Sequence, residues 1–189
     1  MEFQEVLTKR SSVRKYNSVM PSDEDIQKII DAALLAPVVR MHKLHLSVVT
    51  DTEVMKMAED AADTLFNSPE AIVKMPKPYM YGAPVWIILS GIKYDESNGN
   101  LQAMLMNDNL FWNVGSIIEN MELQATALGL ASCGINTTVV GMRNRPDVKK
   151  AVGIPEGYEA LASVIIGYTD AKIVERKVRP ELIPVSYVK

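Results

Sequence analysis

The chain has 189 residues, of which 48% are hydrophobic and 23% are charged, and its formal net charge is −3. A chain of this length suits one domain that buries about 70% of its unfolded surface. The acidic balance argues against general binding to nucleic acid or to an anionic membrane, because both call for a basic surface. We therefore expect one soluble domain in which any basic cluster serves a local purpose.

Cysteine content and hydropathy indicate the cellular compartment in which the protein works. The single cysteine, Cys133, excludes an intramolecular disulfide and fits a reducing cytosol. The N-terminal "MEFQEVLTKR" lacks the apolar core of a signal peptide, and "PVWIILSGI" is too short to span a bilayer. We expect a cytoplasmic protein. Cys133 has no evident activating partner in the sequence, which favours a small buried thiol over a nucleophile.

Hydrophobic spacing predicts two helices at the start of the chain. The first is short, with Phe3, Val6 and Leu7 on one face, and ends near the basic stretch "KRSSVRKYNS". The second begins after Ser22, whose side chain can cap it, and ends at Pro37.

A strand, a helix and a long loop come next. Residues 44–50 alternate as a strand does, and residues 52–66 return to a helical pattern. The stretch "NSPEAIVKMPKPYMYGAP" (67–84) is punctuated by prolines, and loops of this length are disproportionately functional. An adaptable substrate pocket could be lined by Met75, Tyr79, Met80 and Tyr81.

The second half of the chain holds the most apolar elements. Residues 85–91 are apolar throughout, as in a strand covered on both faces, and residues 101–128 form a long helix that is apolar nearly all round. Residues 144–153 predict a short helix capped by Asn144, and residues 159–168 predict a last core strand. The order predicts an α+β domain with a mixed sheet between helical layers.

Two basic clusters lie at opposite ends of the sequence. The first contains Lys9, Arg10, Arg14 and Lys15 together with Ser11 and Ser12, and the second contains Lys172, Arg176, Lys177 and Arg179. Basic residues at a helix end can simply complement the helix dipole in solvent. Alternatively, arginine and serine together offer charge and directional donors to a phosphate. The sequence leaves open whether the two clusters converge.

Several stretches resemble the FMN-dependent nitroreductase family. "KRSSVRKY" resembles the Arg-x-Ser-x-Arg/Lys signature that follows the family's first helix. "SDEDIQKIIDAALLAP" is similar to the family's second helix, and "NVGSIIENMELQATALGLASCGI" (113–135) resembles its long central helix and the turn after it. "VGIPEGYEALASVIIGY" is similar to the family's final core strand, and "KVRP" matches the tail's Lys-x-Arg pattern. The resemblance covers essentially the whole chain.

The resemblance implies a three-layer α/β/α sandwich with a central mixed, mainly antiparallel sheet and with FMN at a homodimer interface. Residues 1–189 would form a single domain in which 170–189 are a C-terminal tail that contributes to the flavin site or to the partner subunit. The phosphate and ribityl chain would be held by Arg10, Ser11, Ser12, Arg14, Lys177 and Arg179. The homodimer would bury apolar surface of the long helix, which carries Leu110, Phe111, Trp112, Val114, Ile117 and Ile118.

The flavin ring would meet two further segments. Past Gly129, the family turns its backbone towards the ring, which implies ring contacts for Asn136 and Thr137, with the Thr137 amide donating to flavin N5. After the second helix the family commonly shows Ser-x-x-Asn-x-Gln-Pro-Trp, and "VVRMHKLH" places Met41 and Lys43 at the Asn and Gln positions. A solvated loop with exposed cations is the alternative for this second segment.

The implied activity is that of an FMN-dependent oxidoreductase. In a ping-pong cycle, NAD(P)H would bind transiently, give hydride to flavin N5 and make way for a nitroaromatic, a quinone or an activated alkene. No side chain need act as an acid or base, so no catalytic residue is assigned. The alternative is a flavin-binding protein without reductase turnover, serving storage or regulation. No metal site is expected, because His42 and His45 have no further ligands nearby in sequence.

Overall fold

The computed structural model of the protein describes residues 1–39 and 42–188. Its helices are α1 Phe3–Lys9, α2 Asp23–Leu34, α3 Thr52–Phe66, α4 Leu101–Ala127, α5 Thr137–Gly141 and α6 Pro146–Ala151. Its strands are β1 Leu44–Val49, β2 Val85–Gly91, β3 Ala131–Gly134 and β4 Glu159–Gly167, and a single 3₁₀ turn covers Pro180–Leu182. No helix in the described ranges is long and apolar enough to cross a membrane.

The four strands form one sheet in the order β1-β2-β4-β3. Every pair of neighbouring strands is antiparallel. An isolated parallel bridge joins Ser12 to Ser132. It places the N-terminal segment alongside β3, at the edge of the sheet. The α+β class and the mainly antiparallel sheet are therefore confirmed.

Helices cover both faces of the sheet. On one face, Trp86, Ile88 and Ile165 pack into a core that includes residues of α3, α5 and α6. On the other face, Ile87 and Ile166 pack into a core that includes residues of α2 and α4. Side chains alternate across a strand, so burial on both faces explains why β2 is apolar throughout. The predicted three-layer arrangement is confirmed.

The helix boundaries confirm some of the predicted caps and correct one. The Ser22 side chain accepts a hydrogen bond from the Asp25 amide at 3.1 Å, as predicted for α2. The predicted cap at Asn144 is wrong, because α6 starts with Pro146 and its N-cap is Arg145. Proline fits the first helical position because the amide hydrogen it lacks would have no partner there.

The long helix α4 buries more of its apolar face within the chain than the sequence predicted. Leu110, Val114 and Ile117 lie in the core of the subunit and leave no surface for a partner. Phe111 and Trp112 remain 53% and 76% exposed. The apolar surface that α4 offers to a second subunit is therefore narrower than predicted.

The loop between α3 and β2 packs against α3 and buries two of the residues expected to line a pocket. Tyr79 and Met80 are buried. The Tyr79 hydroxyl donates to Asp63 Oδ1 at 3.1 Å, and the Met80 amide donates to Glu59 Oε1 at 2.7 Å. Side chains of α3 thus provide hydrogen-bond partners for the loop, and Met80 also lines a surface cavity together with Met55 and Pro78. The Met75 carbonyl accepts from the Tyr79 hydroxyl at 3.1 Å, while the Met75 side chain reaches α5, with its Sδ 4.0 Å from Thr137 Oγ1.

Candidate functional site

The first basic cluster begins at the end of α1 and continues as extended chain beside the sheet. α1 ends at Lys9 with Arg10 as its C-cap. The Val13 amide then donates to the Ser132 carbonyl at 2.9 Å, and the Asn17 amide donates to the Tyr168 carbonyl at 2.9 Å. The cluster is therefore fixed along the edge of β3, and Arg14 lies beyond the reach of the α1 dipole.

Arg10 lies between two carboxylates of α4. Its side chain is 14% exposed, with guanidinium nitrogens 3.5 Å from Glu122 Oε1 and 3.6 Å from Glu119 Oε1. Both distances exceed those of a hydrogen bond, so the contact is electrostatic and leaves donors of the guanidinium available. The Ser132 hydroxyl donates to Glu122 Oε1 at 3.4 Å. Burial raises the pKa of the Glu122 carboxyl, and the charge of Arg10 opposes that rise.

Ser11, Ser12 and Arg14 follow on the extended segment beside β3, whereas Lys9 lies on α1 and pairs with Glu5. Arg14 is exposed and makes no ion pair among the described residues, and Ser11 is half-buried. The Ser12 hydroxyl and the Arg14 charge both act on the Cys133 thiol, although burial dominates and raises the pKa of that thiol. Cys133 is buried, as predicted, and its raised pKa makes it a poor nucleophile.

The C-terminal tail runs back along the N-terminal segment. The Thr169 hydroxyl donates to the Lys15 carbonyl at 2.7 Å. Further along, the Arg176 amide donates to the Thr8 carbonyl at 2.7 Å. Lys177 and Arg179 come shortly after and are exposed. The structure thus brings the backbones of the two basic clusters together, a convergence that the sequence left open.

The chain that leaves β3 leads to the two residues expected at the flavin ring. The Ile135 amide donates to the Ser163 carbonyl at 2.9 Å, and the Ser163 hydroxyl donates to the Ile135 carbonyl at 2.7 Å. These two bonds fix the backbone just before Asn136, which is exposed, and Thr137, which is half-buried. The Thr137 amide begins α5 and has no acceptor among the described residues. It is free to donate to a bound group.

Lys43 lies apart from these residues. Its carbonyl accepts from the Ile92 amide at 3.3 Å, immediately before β1 begins at Leu44. β1 and β3 are separated by two strands, so three spacings of roughly 4.8 Å put them about 14 Å apart. Within one chain, Lys43 is therefore not brought to the edge where the basic clusters meet. Met41 and the neighbouring Arg40 lie outside the described residues.

Two further residues at this edge were missed from the sequence. Glu122 interrupts an apolar stretch of α4, and a carboxylate in such a stretch is a signal that could have identified it. Tyr16 gave no such signal. Its hydroxyl is buried and lacks a hydrogen-bond partner among the described residues, and burial raises the pKa of Tyr16. In the part of the chain that the structure describes, no group of His, Cys, Asp or Glu could hold a metal ion.

Known proteins with related sequences and structures share this architecture over nearly the whole chain. The model of the Nitroreductase family matches residues 7–168. A relative from Archaeoglobus fulgidus, provisionally named NADH dehydrogenase/NAD(P)H nitroreductase, is 31% identical over 163 residues, which cover 84% of this chain and 80% of the relative.

Two solved structures illustrate the likeness. A nitroreductase with bound FMN from Bacteroides fragilis is 25% identical and superposes with a TM-score of 0.79 over 100% of both chains. A nitroreductase with bound FMN from Desulfitobacterium hafniense, at 23% identity, shares the fold with a TM-score of 0.79 over 99% of this chain and 98% of its own. On its sequence and its fold, this chain belongs to the nitroreductase family.

Proposed function

We propose that this protein is an FMN-dependent oxidoreductase that takes hydride from NAD(P)H and delivers it to an electron-poor acceptor. The observation that carries the proposal is that the tail meets the N-terminal basic segment, with the Arg176 amide donating to the Thr8 carbonyl, while that segment continues along the edge of β3, the strand that leads to the Thr137 amide. Support comes from the FMN bound in the Bacteroides fragilis nitroreductase and from the name of the Archaeoglobus fulgidus relative.

The residues present fit the phosphate of FMN. The dianion would be held by Arg10, Ser11, Ser12, Arg14, Lys177 and Arg179, a set of hydroxyl donors and cations. Arg14 and the two tail cations make no ion pairs among the described residues, so an incoming phosphate meets little competition from carboxylates there. Arg10 is the exception because of its contacts with Glu119 and Glu122.

The opposite end of the site fits the flavin ring. When bound, FMN would supply the redox chemistry by accepting hydride at N5 and passing it to a nitroaromatic, a quinone or an activated alkene. The Thr137 amide would donate to the ring, and the two hydrogen bonds between Ile135 and Ser163 would hold that amide in place. Asn136 would face the ring from the solvent side. No side chain is assigned as acid or base.

We further propose that the protein acts as a cytoplasmic homodimer in which each flavin site is completed by the partner chain. Lys43 lies before β1, at the edge of the sheet opposite to β3, so with Met41 it would contact the flavin held mainly by the partner. Phe111 and Trp112 are the exposed aromatic residues of α4 and would lie in the interface. Residues 1–189 would act as one domain, with 170–189 reaching the flavin site or the partner.

A flavin-binding protein without reductase turnover is the second candidate. The observation that favours it is the pair Asn136 and Thr137 at positions where many members of the family have an acidic residue and a glycine. The side chain of Thr137 would narrow the approach to the ring, although the backbone donor would be kept.

Steady-state oxidation of NADH and NADPH by the FMN-loaded protein separates the two candidates. With menadione or a nitrofuran as acceptor, the reductase hypothesis predicts turnover that depends on both nucleotide and acceptor. A protein that binds FMN but stays oxidised under an excess of both nucleotides would support the storage or regulatory role. Failure to bind FMN would overturn both.

A further inference from the structure

Glu122 is an acidic side chain in the buried part of α4. Its side chain is 8% exposed, and its neighbours along the helix, Met121 and Ala125, are fully buried. A buried carboxylate needs a cation and hydrogen-bond donors to remain ionised. Glu122 has a single cation near it among the described residues, Arg10, at 3.5 Å.

The surroundings of Glu122 include groups from several elements. Arg10 approaches from the end of α1, and Glu119 lies one turn earlier on α4 itself. The Ser132 hydroxyl donates from β3, where the Gly134 backbone also lowers the pKa of Glu122. The titratable groups that act on it from the other elements are Tyr16 of the N-terminal segment and Cys133 of β3, both of them neutral at ordinary pH. Arg10 is therefore the main source of positive charge at Glu122.

The guanidinium of Arg10 is also proposed to hold the phosphate, so a role for Glu122 in cofactor binding rests on the proposed function. A phosphate dianion bound to Arg10 would bring two further negative charges towards Glu122, whose own cation is Arg10 alone among the described residues. Like charges at close range in a protein interior favour protonation of one of them. Glu122 is the more buried anion, and burial already raises its pKa.

We propose that Glu122 competes with the cofactor phosphate for Arg10, and that FMN binding transfers the guanidinium to the phosphate while Glu122 takes up a proton from solvent. The neutral carboxyl can still accept from the Ser132 hydroxyl, so it keeps a hydrogen-bond partner. Glu122 thereby makes cofactor affinity depend on pH without touching the flavin.

The direction of the pH dependence is set by linkage. Since the complex binds a proton that the free protein lacks, FMN binding tightens as pH falls, and one linked proton changes Kd by up to tenfold per pH unit. The phosphate itself titrates near pH 6, so the effect is sought at about pH 7–8.5, where FMN is already a dianion.

Calorimetric titration of the apoprotein with FMN, in two buffers of different ionisation enthalpy, counts the protons directly and needs no mutant. At about pH 7.5 the phosphate of FMN is already a dianion. We expect uptake of a substantial fraction of a proton at this pH. Riboflavin lacks the phosphate and is expected to bind weakly and without proton uptake. FMN binding without proton uptake would overturn the inference and leave the proposed function standing. No binding of FMN would overturn the proposed function and the inference with it.

Glu122→Gln and Glu119→Gln form a matched pair on the same helix. Glutamine at 122 keeps the shape and the acceptor oxygen, so we expect FMN to bind roughly three- to tenfold more tightly at pH 8 than it does to the wild type, with the proton uptake lost. Glu119 is 52% exposed and solvated, so Glu119→Gln should keep both the proton uptake and its pH dependence. Weaker FMN binding to Glu122→Gln, or an unchanged proton count, would show that Glu122 positions Arg10 rather than competing for it.

Discussion

Arg14 and Arg179 are the clearest single-residue tests of the phosphate site, because both are exposed and neither has an ion pair among the described residues. Hydrogen bonds to charged groups contribute about 1.5–3 kcal/mol each, so Arg14→Ala or Arg179→Ala should weaken FMN binding roughly ten- to a hundredfold. Folding stability should change little. Fluorescence titration with FMN measures the first effect and thermal unfolding the second.

Arg145 provides the matched control for these variants. It lies at the start of α6 and pairs with Asp147, with its Nε 2.9 Å from Oδ1. Arg145→Ala should therefore retain wild-type affinity for FMN. Tight, wild-type binding of FMN to both Arg14→Ala and Arg179→Ala would contradict the phosphate assignment.

Arg10→Ala should differ from these variants because it also removes the cation at Glu122. A buried polar group left without its partner costs about 1–3 kcal/mol and a charged group costs more, so the variant should be less stable than the wild type at neutral and alkaline pH. The folded-state pKa of Glu122 lies above its unfolded value, so the folded protein holds this proton more tightly. The associated stability is present at acid pH and is lost as pH rises through the folded pKa.

Loss of Arg10 removes the opposing charge and raises the pKa of Glu122 further. The difference in unfolding free energy between wild type and Arg10→Ala should therefore shrink as pH falls from 8 towards 5, a range about one to several units above the ordinary carboxyl pKa. Urea titrations across that range measure it. A difference that stays constant with pH would show that Glu122 is not ionised in the wild type.

Some of these residues could be predicted from the sequence, and others could not. Arg10 and Arg14 stand beside serines, a combination that suits phosphate whatever the fold. Glu122 and Tyr16 belong to the candidate site because α4, β3 and the N-terminal segment pack together there. That packing cannot be predicted from a local sequence pattern. Lys43 was grouped with the others from sequence, and only the strand order shows that it lies at the far edge of the sheet.

At the scale of elements, α5 is positioned by a close approach to α3. A Cβ at Gly141 would lie 2.5 Å from Ala62 Cα and 2.7 Å from Ala62 N. Gly141→Ala should therefore displace α5 and lower the unfolding free energy by about 1–3 kcal/mol. Because α5 begins with Thr137, FMN binding should weaken as well. Urea unfolding and FMN titration measure the two effects.

The double variant Gly141→Ala with Ala62→Gly shows which atoms cause the strain. The closest atoms at position 62 belong to the backbone, which glycine also has, so the second substitution should not restore stability. Full recovery in the double variant would mean that the Ala62 methyl group alone sets the helix spacing.

Long elements were predictable because each has enough residues to show a hydrophobic pattern, which repeats every turn in α3 and is an unbroken apolar run in β2. α3 and β2 have the bounds that the sequence predicted, 52–66 and 85–91. β3 and α5 have four and five residues and were missed, because neither is long enough to show a period. β3 forms the edge of the sheet at the candidate site, and α5 begins at the turn beside it. The sequence therefore predicted the cationic residues of the site better than the short elements that position them.

At the scale of the whole molecule, the proposed dimer depends on the exposed aromatic residues of α4. Trp112 is 76% exposed, so Trp112→Glu should hardly affect the folding of one chain but should place a charge in the interface. We expect this variant to sediment as a monomer and to bind FMN more weakly than the wild type, because the partner's contribution to the site is lost.

Ile72→Glu is the matched control, since Ile72 is fully exposed in the loop after α3. It should sediment as the wild type does. A wild-type protein that is monomeric at micromolar concentration while loaded with flavin would contradict the dimer, and with it the assignment of Lys43 to the flavin of the partner.

Gel filtration shows directly whether the two basic clusters form a flavin phosphate site. The protein is first mixed with an excess of FMN, and the absorption spectrum of the protein peak is then recorded. We predict that the peak carries the bands of oxidised flavin in stoichiometric amount. Protein mixed with riboflavin should elute nearly colourless, because the phosphate provides the main contacts to the cations. A wild-type peak that elutes without flavin after mixing with FMN would contradict the proposed site.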